Sequence, residues 1–215
     1  MLLRARVAVK RAMARARSTL MGPHVEAVMC RAGAHRFILP ATDFTIGRKL
    51  AFFGAYNEEE FDTLRRLVAD HDVREIAFVG SHVGYFVVKT AELVERVTAV
   101  EPNPATLELL ELNLRLNACE NVTVHNMAAT SEACVLEFVA ARENTGSSHV
   151  RRAGEQGESI RVQGRTLDSL GLSPELVVID TEGHEIDVLA GMAETLGRVR
   201  AVSCELIPAL LRGAG

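Results

Sequence analysis

The chain has four cysteines, Cys30, Cys119, Cys134 and Cys204, and no CxxC pair among them. That spacing argues against a metal knuckle and against a disulfide framework, and it fits a reducing cytosol, so a cytoplasmic location is expected. His24, His35, His71, His125 and His149 show no ligand spacing either, so no metal is expected. There is no apolar run long enough to span a bilayer and no internal repeat. A formal net charge of only −4 over 215 residues gives no electrostatic footprint for nucleic acid. The first acid is Glu26, although Arg4, Arg6, Lys10, Arg11, Arg15 and Arg17 all precede it. An Arg-rich, acid-free start has two readings: a transit-type or lipid-surface helix giving peripheral membrane contact, or a solvated leader.

What is there fits one soluble domain, with 48% hydrophobic and 24% charged residues. The richest stretch is Ile76-Ala-Phe-Val-Gly-Ser-His-Val-Gly-Tyr85, followed by Val97-Thr-Ala-Val-Glu-Pro-Asn-Pro104. It reads as a buried strand, a glycine-punctuated turn opening a helix, and a second strand ending in a carboxylate. A doubly wound α/β domain holds a nucleoside in this way. Gly80 and Gly84 lack a Cβ, so the backbone there can turn sharply and approach a ligand. Glu101 follows Gly80 by 21 residues, near the spacing at which an acid accepts hydrogen bonds from ribose hydroxyls.

Around this stretch the chain divides into a basic leader (1–21), a lead-in of hairpin plus helix (22–74) and a Rossmann-like domain (75–215). The hairpin is expected over Val25–Cys30 and Arg36–Leu39 with Gly33 between, and the helix over 58–70, where Phe61, Leu64, Leu67 and Val68 recur at helical spacing. Strands are expected at Ile76–Val79, Val97–Val100, Val122–His125, Leu176–Ile179 and Val199–Cys204, with helices over Tyr85–Leu93, from Asn103 (cap) and Pro104 to about Asn117, and over Glu185–Leu196. Such alternation implies a mainly parallel sheet flanked by helices. Val135–Val139 and Ile160–Gly164 add strands around a polar loop over 142–159. The fold as written is short at its carboxy terminus, and the resulting sheet edge is expected to be covered by the amino-terminal segment or by a second subunit of a homo-oligomer.

A second candidate site is Val177-Val-Ile-Asp-Thr-Glu-Gly-His-Glu185. Asp180 and Glu182 lie just beyond the carboxyl end of a core strand, where open α/β sheets bind ligands, and are the candidate catalytic residues. The competing reading is that Asp180 or Thr181 caps the next helix and Glu182 favours its positive end. His82 borders the glycine turn, His184 follows Gly183 at the cleft, and Glu205 either faces the cleft or is merely exposed.

Taken together, Gly80-Ser-His-Val-Gly-Tyr-Phe86, Val100-Glu-Pro-Asn-Pro104, Leu110-Glu-Leu-Asn113, Asn117, Asn126-Met-Ala-Ala129, Asn144-Thr-Gly-Ser-Ser148, Arg165-Thr-Leu-Asp168 and Ile179-Asp-Thr-Glu-Gly-His-Glu185 resemble the FkbM-type family of S-adenosylmethionine-dependent methyltransferases. The likeness runs over about residues 36–206 and includes Gly54-Ala-Tyr56. It implies a Rossmann-like methyltransferase fold that uses S-adenosyl-L-methionine and methylates a hydroxyl of a sugar or secondary metabolite, a small-molecule or glycan acceptor. It further implies that Gly80, Ser81, His82, Gly84 and Tyr85 line the methionine part of the cofactor. Glu101, Pro102 and Asn103 would hold the ribose, and Asn126 to Ala128 would border the adenine. Two positions depart from the family pattern. Phe78 stands where the family has an acid, which would lie near the cofactor's ammonium group, and His82 stands where it has Asn.

Two rivals remain at this level. One is a degenerate, non-catalytic scaffold, favoured by Phe78, His82 and the short carboxy terminus. The other is a dinucleotide-dependent oxidoreductase, disfavoured because the turn lacks a third glycine and because Glu101, Asp180, Glu182 and Glu205 suit a cationic cofactor better than a pyrophosphate.

Overall fold

The structure, a computed structural model, describes residues 24–43, 45–141, 144–152 and 154–206. The expected basic leader lies outside them. The described chain is α/β. Its centre is a five-stranded, wholly parallel sheet of β3 (Glu75–Val79), β4 (Arg96–Val100), β5 (Val122–His125), β10 (Leu176–Ile179) and β11 (Ala201–Cys204), in the order β11-β10-β3-β4-β5. The order reverses between β3 and β10, which makes the ends of those two strands the topological switch point.

The core strands are apolar on both faces because both faces are covered. Ile76, Phe78, Val97, Ala99 and Leu176 pack on one side with α3 (Tyr85–Ala91) and α4 (Pro104–Leu116). Ala77, Val79, Val100, Val177 and Ile179 pack on the other with Met127, Leu167, Val188 and Met192. The helix expected over Glu185–Leu196 is two helices, α5 (Glu185–Ala190) and α6 (Ala193–Leu196). Between them Gly191 presses on the Thr130 carbonyl so closely that any Cβ would collide with it. The polar region after β6 (Ala128–Ala129) folds into a separate four-stranded sheet with β7 (Cys134–Val139), β8 (His149–Val150) and β9 (Ile160–Arg165).

The lead-in is part of the same core. Its hairpin, β1 (Ala27–Ala32) and β2 (His35–Pro40), pairs two residues further along at β1 than the sequence suggested. Phe37 and Leu39 of β2 are fully buried in the cluster that contains Phe78 and Tyr85. The hairpin is held to α4 by two asparagines one turn apart. Asn113 accepts from Ile38 N–H (2.6 Å) and donates to Ile38 C=O (3.1 Å) and Val83 C=O (2.8 Å), while Asn117 accepts from Arg36 N–H (3.0 Å) and donates to its C=O (2.7 Å). Each amide thus satisfies a strand residue as a neighbouring strand would. Helix α2 (Glu58–Asp70) matches the expected span. A helix with no counterpart in the sequence reading, α1 (Ile46–Phe53), buries Ile46 and Leu50 and ends at Gly54 in the left-handed conformation.

Phe78, the first departure from the family pattern, is a core residue. It is only 4% exposed and belongs to the core between β10 and β4, on the side of the lead-in, and it is not among the residues that line the cleft. An acid at this place would enter the apolar packing that Phe78 fills. Replacing Phe78 with Asp should cost about 3–5 kcal/mol, since it removes a large buried ring and introduces an unpaired polar group. Urea titration of the Phe78→Asp variant checks this; a parent-like midpoint would show that the site tolerates an acid.

Candidate functional site

The ends of the parallel strands are laced together step by step. Gly80 and Ser81 N–H both donate to Val100 C=O (3.0 Å each), Glu101 N–H to His125 C=O (3.0 Å), Asp180 N–H to Val79 C=O (2.9 Å) and Glu205 N–H to Ile179 C=O (3.0 Å). Each strand thereby delivers its last side chain to the same edge. Gly80 has φ +88, and a Cβ there would strike the Asp180 carbonyl. The glycine is demanded by the neighbouring strand end, independently of any ligand. Gly84 (φ +84) is likewise closed off by Leu110 of α4.

Above this edge lies a cleft of about 240 Å³. Of the cofactor-site candidates, Gly80, Ser81, His82, Tyr85, Glu101, Pro102 and Ala128 line it, as do both catalytic candidates, Asp180 and Glu182. Gly84, Asn103 and Asn126 do not. Asn103 caps α4 by accepting from Ala105 N–H (3.1 Å), and Asn126 donates to the carbonyls of Glu101 (2.9 Å) and Pro102 (3.1 Å). Their positions support Glu101 rather than face the cavity. Glu205 does face it, together with His184, Tyr56 and Glu60, which sequence reasoning left open or missed.

Glu101 is 5% exposed and accepts from the N–H groups of His82 and Asn103 (2.9 Å each). Burial pushes its carboxyl up to about 7, against the pull of those two N–H groups. Asp180 sits in a different setting: its side chain remains accessible at the cleft mouth although walls surround it. Enclosure first, then the charges of Glu205 and Glu182 and a hydrogen bond with Glu205, push it up to about 8. Glu182 is raised by burial and by Glu205. Tyr56, raised to about 12 by burial and by Asp180, stays a neutral donor facing these acids.

The capping alternative for Asp180 and Thr181 does not hold. Helix α5 starts at Glu185 with His184 in the cap position, and it is the buried Glu185 that folds back to accept from Thr181 Oγ1 (3.0 Å) and Gly183 N–H (2.8 Å). Nor does the chain stay extended past Asp180. Glu182 has φ +55 and Gly183 φ +105, so the acid-rich segment is a tight left-handed turn.

His82 also has a positive φ, +50. Asn and His are among the non-glycine residues that enter this region most readily, so the exchange of the family's Asn for His respects the backbone. The His82 ring joins two segments from elsewhere in the chain. Its Nε2 is 2.8 Å from Thr145 Oγ1, and Thr145 in turn donates to Asp43 Oδ2. Asp43 is fully buried and accepts from Thr45 N–H (2.7 Å) and Gly47 N–H (3.1 Å) at the start of α1. Asp43 was not foreseen; an Asp before an apolar helical run closed by Gly54 was the available signal. On the other side, Tyr85 donates to Glu58 (2.6 Å) and accepts from Tyr56 N–H (3.2 Å), which fixes the lead-in along the cleft rim.

A parallel α/β sheet with its carboxylates gathered at the switch point defines a Rossmann-like domain. The sequence profile of the methyltransferase FkbM domain matches residues 79–208, more than half of the chain, and the protein belongs to that family. No curated protein matches the chain. Among solved structures it is similar to a methyltransferase FkbM from Methylobacillus flagellatus KT (19% identity, TM-score 0.45, 62% of this chain and 32% of that one). It is also similar to the O-methyltransferase TomG from Streptomyces achromogenes, solved with SAM (14%, TM-score 0.41, 68% and 53%), and to a tRNA m1G37 methyltransferase from M. jannaschii (12%, TM-score 0.44, 83% and 41%). The chain spans 32 to 53% of the length of these three. No helix among the described residues is long and apolar enough to cross a membrane.

The raised pKa of Asp180 has a signed consequence. Folding favours its protonated form. Below the ordinary value of 3.8 both states are protonated and nothing is lost; as pH rises towards about 8 the native state becomes progressively disfavoured. Asp180→Asn should therefore gain stability relative to the parent between pH 5 and pH 9, held by solvent screening to about 1 kcal/mol, or roughly 2–4 °C in Tm. Thermal melts at both pH values check this; a pH-independent difference would mean Asp180 titrates normally.

Proposed function

We propose that this protein is an S-adenosylmethionine-dependent methyltransferase that methylates a hydroxyl group on a small molecule or glycan. The carrying observation is the convergence of Glu101, Asp180, Glu182 and Glu205 on one cleft at the strand ends, in a chain of the FkbM methyltransferase family. A cofactor that carries a sulfonium and an ammonium is attracted by such a cleft, whereas a pyrophosphate is repelled. The lining also fits in detail, because the side-chain oxygen of Asn144 is buried and unpartnered there and can accept from a ligand donor.

In this reading Glu101 accepts the ribose hydroxyls, and Gly80 and Ser81 border the methionine part. When bound, the cofactor supplies an electrophilic methyl group. The chain's task is to hold an acceptor oxygen in line with it, within about 3–3.5 Å, and to take up the hydroxyl proton. Asp180 suits the second role. Its carboxyl, pushed up to about 8, has the affinity for a proton that an ordinary carboxylate lacks. An arriving cation lowers that pKa and makes the carboxylate available as the acceptor of the proton. Glu182 and Glu205 keep the negative charge close by. The alternative is a non-catalytic scaffold, which the absence of the family's acid at Phe78 and the exchange at His82 favour.

Calorimetric titration with S-adenosylhomocysteine tests the binding half. The parent should bind, and Glu101→Ala should weaken binding by about 1.5–3 kcal/mol, the range for a hydrogen bond to a charged group. No binding by the parent, with its fold intact, would favour the scaffold.

For the chemical half, Asp180→Asn should lower kcat more than it changes cofactor affinity, and the pH profile of the parent should rise with deprotonation of one group. Methyl transfer from radiolabelled cofactor to an acceptor panel gives the readout, and full activity of the variant would remove Asp180 from the mechanism.

A further inference from the structure

The chain His82–Thr145–Asp43 has a direction that can be read from donor and acceptor chemistry alone. Asp43 already accepts two backbone N–H groups at Oδ1, and its Oδ2 accepts from the Thr145 hydroxyl. A hydroxyl has one proton, and Thr145 spends it on the carboxylate. Towards His82 Nε2, 2.8 Å away, Thr145 can then only accept. The proton of the neutral ring is therefore on Nε2, and Nδ1 carries a lone pair. The ring is also kept neutral: burial pushes its pKa down to about 4 against the opposing charge of Asp43.

His82 lines the cleft next to Glu101, which it contacts through its own N–H. A ligand whose ribose rests on Glu101 extends its other end along the glycine turn towards Asp180. The Thr145 loop lines the same cleft, and Asn144, next in sequence, contributes the buried unpartnered oxygen already noted. His82 and Asn144 thus line the same cleft, the one that the proposed cofactor would occupy.

We infer that Thr145 and Asp43 are positioning residues that fix His82 in its Nε2–H form, so that Nδ1, with the Asn144 side-chain oxygen, receives the ammonium group of S-adenosylmethionine. This rests on the methyltransferase reading above. It gives His82 a positive role in place of the family's Asn, and it explains why a histidine does not repel the cation. The device belongs to this chain, since it needs His82, Thr145 and Asp43 together.

The tautomer is tested without any ligand. In ¹⁵N-labelled protein, long-range ¹H–¹⁵N spectra of the His82 ring should show a protonated Nε2 and a bare Nδ1 at pH 7. The reverse pattern overturns the inference. The ligand half uses two probes, S-adenosylhomocysteine, which keeps the ammonium group, and 5′-methylthioadenosine, which lacks it. Thr145→Val should weaken S-adenosylhomocysteine binding about tenfold, a value within the span of a charge-assisted hydrogen bond, and leave methylthioadenosine binding unchanged. Thr145→Ser, which keeps the hydroxyl, should restore the parent value and guards against simple misfolding. Equal losses for the two probes, or no loss for either, would sink the ammonium assignment while leaving the methyltransferase reading standing. A parent that binds neither probe would sink both, whatever the tautomer.

Discussion

The site depends on how closely β3 and β10 meet at their carboxyl ends. Gly80 lies against the Asp180 carbonyl with no room for a Cβ, and Asp180 N–H closes onto Val79 C=O at 2.9 Å. These contacts bring the glycine turn and the acidic turn into one wall. If Gly80 carried a side chain, the two strands would have to part, and Asp180 would leave the neighbourhood of Glu101 and His82. The glycine does here for two protein segments what the sequence reading assigned to the approach of a ligand.

That contact also concentrates charge. Parallel strands that end at one level must present their terminal side chains together, and here most of those side chains are carboxylates. Burial first, and then the neighbouring carboxylates, raise Asp180 and Glu182, whereas Glu101 is raised by burial against the pull of its two N–H groups. A cluster of this kind favours the approach of a cation. Glu101 is buried and anchored by two N–H groups, while Asp180 stays open to the cleft.

Much of this was legible in the sequence. Strand–helix alternation, the capping pair Asn103–Pro104 and the strand-end acids depend on short-range patterning, and each of these elements stands within a few residues of its expected place. Helix α1 was hidden because its apolar positions are few and the signals that bound it are single residues, Asp43 and Gly54. The interruption at Gly191 was hidden for another reason: it answers to Thr130, far away in the sequence, and nothing local marks it. At Phe78 the likeness to a family tells which residue differs but not which way its side chain points. Alternation along β3 settles that, with Ile76 and Phe78 on one face and Ala77 and Val79 on the other. Asp43 and Thr145, 102 residues apart, could only be joined in three dimensions.

The asparagine ladder from α4 to β2 carries an implication for the order in which this chain folds. Its hydrogen bonds span 75 to 81 residues, so closing that loop costs chain entropy that no local contact repays in advance. Nearer pairings, β3 with β4 and β4 with β5, close first and create the surface on which α4 settles. Only then do Asn113 and Asn117 present two rows of amide groups at the spacing of a strand. The hairpin thus docks after those nearer pairings, though β10, which sets Leu176 opposite Ile76, closes a longer loop still, and it docks on a template: α4 sets the register of β2, and with it the depth at which Phe37 and Leu39 enter the core.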